Sequence, residues 1–297
     1  MKCKLCHSSE TKVIYQGTIR SGVPGMVSKK EYTVRDCQVC DTSFLDPFPD
    51  LKTEYESGEY RTKYNQSTQL EEYQRLHDKL DENKLRIFRL PELRGKTIVE
   101  FGCGGGSFLN MLRSTVRESY AVEPTESFHP FLKESGHQVF SYPEQLSSKH
   151  PEICDAGFSF YAIEHVEDPH AFLKDLNKVL KPGGLAYIAT DNRHVLMGKM
   201  GIPEFDAFNY REVHPWQFSA KSFQTLAARN GFELLETIFD QTYPFENFVN
   251  WMKWKAPKGF AGSEILADRE LNDFWKSWIE RKGLADNFIV KLRKTGS

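Results

Sequence analysis

Two Cys-x2-Cys pairs, Cys3/Cys6 and Cys37/Cys40, are separated by thirty residues. Two residues between cysteines let both thiolates turn toward one ion. Two such knuckles supply the tetrahedral four-sulfur set that suits Zn2+. Cys3, Cys6, Cys37 and Cys40 are therefore candidate metal ligands. The site is expected to be closed and structural, because no coordination position is left for a substrate. The gap exceeds the roughly 15–20 residues common between such pairs, so a hairpin or loop must fill it. Four separate reduced thiols or a redox pair are the alternative, and His7 is the alternative ligand beside Cys6.

A second group of residues can hold a ligand without reacting. Val99-Glu100-Phe101-Gly102-Cys103-Gly104-Gly105-Gly106 reads as a strand running into a glycine loop, where the backbone can turn sharply and approach a ligand closely. The spacing is Gly-x-Gly-x-Gly, and Ser107 stands where a dinucleotide fingerprint needs its last glycine. No Lys-Ser/Thr follows, which excludes the phosphate-binding P-loop. Glu123 ends the next predicted strand, about 20 residues on, where a carboxylate can accept both ribose hydroxyls. A third group, Tyr161, Glu164 and His165, follows a later apolar run, and His214 lies further along. A histidine there can act as a general base, because it titrates near the working pH.

These residues need a frame, and the pattern predicts one. Thr97–Phe101, Ser119–Val122, Gln138–Phe140, Ala156–Tyr161 and Leu185–Ala189 read as strands. Between them Ser107–Arg113, Phe128–Ser135 and His170–Leu180 read as helices. Alternation of this kind is the mark of a parallel sheet covered on both faces. Lys181-Pro182-Gly183-Gly184 should be a turn. Ala220–Asn230 reads as a further helix, and Phe232–Ile238 and Phe288–Leu292 as closing strands. Before the sheet, Leu70, Tyr73, Leu76, Leu80, Ile87 and Leu90 recur at helical spacing, and Pro91 should end that helix. The cysteine-bearing block has short β-like runs at Lys12–Tyr15 and Tyr32–Val34.

The length of 297 residues suits about two domains at ~100–200 residues each. Hydrophobic residues make up 39%, enough for a packed core. Lysine and arginine number 39 and acidic residues 41, a net charge of −2, so no positive excess drives non-specific phosphate binding. Six cysteines in this length are too few for a disulfide scaffold. No apolar run approaches the ~18 residues of a membrane span, and Met1–Cys6 carries no apolar signal core. A soluble, cytoplasmic protein is expected.

Val99–Gly106, Ala121-Val122-Glu123-Pro124, Tyr161–Pro169, Val179–Gly184, His214–Ser219 and Gly231-Phe232-Glu233 together resemble the class I S-adenosylmethionine (SAM)-dependent methyltransferases, in the family's order and spacing over about residues 97–239. An NAD-binding Rossmann domain would have to explain both the missing glycine and the Leu-Lys-Pro-Gly-Gly turn. The resemblance implies an α/β fold, a Rossmann-like doubly wound methyltransferase sheet with a small N-terminal zinc-ribbon-like domain. It divides the chain into a zinc-binding module (1–68), a linking helix (69–95) and a SAM-dependent methyltransferase domain (96–297), with a helical, aromatic-rich insertion around 240–285. It also implies cofactor-binding roles. Gly102, Cys103, Gly104 and Gly106 would form the loop facing the methionine part, with the Cys103 thiol, like that of Cys154, a packing group. Glu100 would help position the ammonium, Glu123 would hold the ribose, and Tyr142–Leu146 would lie near the adenine. Tyr161 would border both cofactor and acceptor.

A sulfonium methyl is already activated, so the enzyme mainly aligns a nucleophile with it. His165, flanked by Glu164 and Tyr161, is the first candidate base and His214 the second. A rival reading places Thr190-Asp191-Asn192 at a Mg2+ site, as in the metal-dependent catechol-type O-methyltransferases, but the acidic partner that group needs at the fourth strand is Tyr161 here. The N-terminal pattern, continued by Phe44-Leu45-x-Pro47-x-Pro49 and Tyr55…Tyr60, resembles the zinc module of bacterial sugar and surface-polysaccharide methyltransferases. That implies a sugar, nucleotide-sugar or glycan-precursor acceptor, methylated on O or N. The alternatives are C-methylation of a nucleotide sugar, a small-molecule O-methyltransferase, and an RNA or protein methyltransferase. Residues 1–68 lack interleaved aromatic and basic residues, which argues against nucleic acid. Aromatics from Phe205 to Trp254 can stack on an acceptor or simply pack. Lys253, Lys255 and Lys258 can meet phosphates or face solvent.

Overall fold

The computed structural model describes residues 1–21, 25–49, 70–85, 87–88, 90–257 and 264–296. The predicted boundary at 68–69, Tyr55, Tyr60 and Lys258 lie outside the described residues. In chain order the strands are β1 (Thr11–Gly17), β2 (Tyr32–Cys37), β3 (Ser43–Asp46), β4 (Thr97–Phe101), β5 (Glu118–Val122), β6 (Gln138–Phe140), β7 (Cys154–Phe160), β8 (Leu180–Asp191), β9 (Trp216–Gln217), β10 (Phe232–Asp240) and β11 (Asn287–Lys294). The helices are α1 (Leu70–Leu85), α2 (Leu90–Leu93), α3 (Ser107–Leu112), α4 (His129–Glu134), α5 (Pro143–Lys149), α6 (Pro169–Val179), α7 (Leu196–Lys199), α8 (Pro203–Asn209), α9 (Ala220–Arg229), α10 (Phe245–Trp254) and α11 (Arg269–Arg281).

A seven-stranded sheet has the order β10-β11-β8-β7-β4-β5-β6. Strand β4 pairs parallel to both β5 and β7, and β5 pairs parallel to β6. All five residues of β4 are buried, as expected of a parallel strand covered on both faces. Helix α6 is capped by Asp168, whose carboxylate accepts from the His170 and Ala171 amides at 2.8 and 3.1 Å, a contact worth about 1 kcal/mol. Pro169 at its first turn costs no hydrogen bond. This is the predicted doubly wound α/β sheet.

Two local expectations need correction. Strand β8 begins at Leu180 and runs through Lys181–Gly184, so the predicted turn lies inside it. Gly183 supplies a positive φ of 73° there, which permits a local bend without breaking the pairing. Pro91 does not end a long helix. Helix α1 has already stopped at Leu85, and Pro91 occupies the first turn of α2, where a missing N–H goes unnoticed. Within the predicted helical, aromatic-rich insertion around 240–285, the described residues include helices α10 and α11.

The chain divides into two compact units, one of Met1–Pro49, Ala189–Leu226 and Glu236–Val290, the other of Asp50–Ile188, Ala227–Leu235 and Lys291–Ser297. In the first, a four-stranded sheet has the order β1-β2-β3-β9. The cysteine-bearing segment thus shares its sheet with a strand from far along the chain, β3 pairing antiparallel to β9. Ile19, Tyr32, Val34, Leu45 and Tyr210 form one core of this unit. Val195, Met197, Ile202, Phe205 and Trp251 form another, so most of the predicted aromatic-rich region is packing material.

Candidate active site

In the second unit the glycine loop follows β4 directly. Gly102, Gly104 and Gly106 all have positive φ. Side chains are shut out as well as strained. A Cβ on Gly105 would lie 2.6 Å from Tyr73 Cδ1, and one on Gly106 would lie 2.5 Å from Leu132 Cδ2. The Gly102 and Cys103 amides donate to the Val122 carbonyl at 2.8 and 3.2 Å, which ties the loop to the end of β5. There the Glu123 carboxylate accepts from the Gly104 amide at 2.7 Å and the Thr125 amide at 2.9 Å. Two fixed N–H donors orient this buried carboxylate before any ligand arrives. Cys103 is buried, its thiol 3.7 Å from the Gly104 carbonyl, which fits a packing role.

Glu100 is 3% exposed, and its Oε2 has no hydrogen-bond partner among the described residues. Burial raises its pKa to about 8, against the pull of the Lys84 ammonium. A buried, orphaned carboxylate oxygen beside a glycine loop is a seat for a cationic or donor group of a ligand.

Helix α1 covers this loop, and its inward face is not the apolar stripe that the spacing suggested. Leu76 and Leu80 are 50% and 56% exposed, whereas Tyr73 and Asp81 are buried. Tyr73 lies against Gly104 and Gly105 and stacks on His77 with ring centroids 3.9 Å apart. Asp81 pairs with Lys84. A helix that walls a polar ligand cleft turns polar groups inward, which a hydrophobic pattern cannot reveal. The signal available in the sequence was the i, i+4, i+8 spacing of Tyr73, His77 and Asp81.

At the end of β7, Tyr161 is exposed and holds a left-handed φ of 55°, a conformation rare outside glycine and common at functional sites. Gly102 faces the next residue closely, since a Cβ there would lie 2.7 Å from Ala162 Cβ. Glu164 is buried and His165 half-buried in the short turn Ile163–His165, where the His165 amide donates to the Ala162 carbonyl at 3.1 Å.

In the first unit, His214 has a defined orientation. Its Nδ1 lies 2.9 Å from Asp191 Oδ2 at the end of β8. An ionised carboxylate can only accept, so Nδ1 carries the proton and Nε2 keeps its lone pair. The ring is 11% exposed. Burial and the nearby Arg211 guanidinium hold the His214 pKa below the ordinary 6.5, against the opposing pull of Asp191. A neutral imidazole oriented by a carboxylate on Nδ1 is the form of a general base. The sequence marked both residues but not their pairing.

Both ends of this pair are anchored by the cysteine-bearing segment. Just beyond Asp191, Arg193 pairs with Asp36 and lies 3.7 Å from Asp41, and His194 Nε2 meets Asp41 at 2.7 Å. Just beyond His214, the Leu45 amide donates to the Pro215 carbonyl at 3.0 Å and β9 pairs with β3. Asn192 is spent on structure. Its Nδ2 donates to the Gly283 and Ala285 carbonyls and its Oδ1 accepts from the His194 amide. With Asp191 committed to His214, the arrangement that the Mg2+ reading requires of this pair is not present.

The four cysteines converge. Their sulfurs all lie within 4.8 Å of one another, with Cys3–Cys40 at 3.7 Å and Cys6–Cys37 at 3.4 Å. A tetrahedron with Zn–S near 2.3 Å has edges of about 3.8 Å, so the clustered donor set is compatible with zinc. Protons are shared unevenly in the buried quartet. The contact with Cys40 lowers the Cys3 pKa to about 5, while that contact and burial push Cys40 up.

The pattern of the family described as "Methyltransferase domain" matches residues 70–237. The chain belongs to that family. This methyltransferase domain is 28% identical over 176 residues to the human mitochondrial ubiquinone biosynthesis O-methyltransferase, covering 54% of this chain and 47% of that protein. It is 32% identical over 118 residues to the ubiquinone biosynthesis O-methyltransferase of Idiomarina loihiensis, covering 37% of this chain and 48% of that one. The chain thus spans about half the length of the curated relatives it matches. Among solved structures, a SAM-dependent methyltransferase from Archaeoglobus fulgidus superposes with a TM-score of 0.51 at 17% identity, covering 80% of this chain and 99% of that chain, which is a likeness of fold. SAM is the cofactor that this family uses, and the residues here are compatible with it. The glycine loop admits a close ligand, Glu100 offers an orphaned acceptor oxygen, and two backbone amides orient the Glu123 carboxylate. Glu123→Gln removes the charge and one acceptor, and hydrogen bonds to charged groups are worth ~1.5–3 kcal/mol. SAM affinity measured by calorimetry is therefore expected to fall about 10- to 100-fold, with some loss of melting temperature because one of the two backbone amides that now donate to the carboxylate would face the Gln NH2 group.

Proposed function

We propose that the protein transfers the methyl group of SAM to an oxygen of a small-molecule acceptor. The observation that carries this reading is the His214–Asp191 pair, because a hydroxyl is a poor nucleophile at neutral pH until its proton is removed. SAM supplies an electrophilic methyl on a sulfonium. Asp191 holds the His214 tautomer, and Nε2 takes the hydroxyl proton as the acceptor oxygen becomes the nucleophile. Tyr161, Glu164 and His165, at the carboxyl end of β7, border the cofactor side, with His165 the alternative base. Glu100, Glu123 and the Gly102–Gly106 loop bind the cofactor. Cys3, Cys6, Cys37 and Cys40 hold a structural Zn2+ that positions the base through β3–β9 and the Arg193–Asp36 ion pair.

Two observations bear on the acceptor. The names of the matched relatives support an oxygen acceptor of the kind found in ubiquinone biosynthesis. The pattern of the cysteine-bearing segment supports a sugar, nucleotide sugar or glycan precursor. Methyl-labelled SAM, offered with a nucleotide-sugar panel, catechol and phenol acceptors, and a metabolite extract, separates them. Label on a small-molecule oxygen is the expected result. Label only in RNA, protein or a carbon position overturns the reading.

A further inference from the structure

Two arginines of the first unit, outside every motif that marked the site, are incompletely paired among the described residues. Arg20 and Arg211 are bridge partners on parallel segments, so their side chains project on the same face. The Arg20 amide donates to the Ala207 and Tyr210 carbonyls, and the Glu212 amide donates back to the Arg20 carbonyl at 3.0 Å. The pair is thus pinned by backbone, and the Arg20 guanidinium lies over the Phe208 ring at 4.1 Å. Both Nε atoms are buried and have no hydrogen-bond partner among the described residues. Arg20 makes no ion pair there, and Arg211 reaches only Asp191, at 3.6 Å. That carboxylate is already committed to His214. Another nearby carboxylate, Asp286, is occupied by the Gln241 side-chain amide and the Thr242 and Tyr243 amides.

Arg193, in the same unit, is the contrast. Paired with Asp36 and flanked by Asp41, it is held above its ordinary pKa, whereas burial and the neighbouring Arg211 lower the Arg20 pKa to about 10. Two guanidiniums forced side by side next to a neutral histidine, with one shared carboxylate, leave a net positive charge. Guanidinium forks match the geometry of phosphate and carboxylate oxygens.

We propose that Arg20 and Arg211 bind an oxyanion group of the acceptor, a phosphate or a carboxylate, and so place its hydroxyl at His214. This deepens the methyltransferase reading and rests on it. Pyrophosphate and malonate serve as probes for the two anion types, titrated calorimetrically into the full-length protein saturated with S-adenosylhomocysteine. One of them is expected to bind saturably. Arg20→Gln and Arg211→Gln should each weaken it at least tenfold, and Arg20→Lys should weaken it less. SAM affinity and melting temperature are measured on the same variants and should stay at wild-type values. Binding of pyrophosphate alone names a phosphate, and binding of malonate alone a carboxylate. Absence of binding by both probes, or equal binding to wild type and Arg20→Gln, overturns the proposal. Failure of the wild type to bind SAM overturns the methyltransferase reading instead.

Discussion

His214→Ala is expected to lower kcat by about 10²–10⁴-fold, the usual contribution of a positioned general base, with SAM affinity unchanged. The reason is geometric. Asp191 orients the ring through Nδ1, and burial with the nearby Arg211 favours the neutral form that can accept a proton. The pH dependence carries a definite sign. Because the His214 pKa lies below 6.5, the wild-type rate should fall only as pH drops through that depressed value, and His214→Ala should lose this acid limb. Asp191→Asn tests positioning. It should lower kcat and move the limb to still lower pH, since Asp191 is the group that favours the protonated ring. The comparison with His165→Ala decides between the two candidate bases. A large kcat loss and a lost acid limb in His165→Ala, with His214→Ala near wild type, would assign the proton transfer to His165.

Removal of the metal should have the other large effect. One zinc per chain is expected by elemental analysis, and Cys3→Ser or a strong chelator should abolish it. Structural zinc contributes an apparent ~10–16 kcal/mol in small metal-folded domains, as much as the whole ~5–15 kcal/mol stability of an ordinary domain. The buried segment around Cys3, Cys6, Cys37 and Cys40 should therefore lose its order and become sensitive to protease. Activity should fall with it, because β3 pairs with β9 beside His214, and Asp36 and Asp41 hold Arg193 and His194 beside Asp191. SAM binding, proposed to rest on the Glu100–Glu123 region, should survive. A zinc-free protein with wild-type melting temperature and kcat would refute both the structural role and this coupling.

The parts of the site that were legible are those written in short stretches of chain. Two residues between cysteines, a strand running into Gly102-Cys103-Gly104-Gly105-Gly106, and Glu123 at the end of the next strand are local patterns. Each is dictated by the steric freedom of glycine or by the reach of a thiolate. Helix α1 was legible as a helix but not in its orientation. Tyr73, Leu76 and Leu80 all satisfy the apolar period, yet among the described side chains Tyr73 and Asp81 are buried while Leu76 and Leu80 are exposed, because the surface Tyr73 covers is the glycine loop. Arg20 gave no sign at all. It lies in a turn-rich stretch of the cysteine block, and only its backbone bridge to Arg211 makes it part of the site.

From sequence alone, then, came the strand–helix alternation of the parallel sheet, the cofactor loop with its acidic partner, and the four-thiol set. All follow from periodicity or spacing within a few residues to a few tens of residues. Only the tertiary structure decided that Asp191 meets His214, which strand the cysteine-bearing segment pairs with, and that Arg20 lies beside Arg211. Those outcomes depend on contacts between distant segments. The free energy of such contacts comes from burial and from pairing of charge, neither of which has a local signature in the chain.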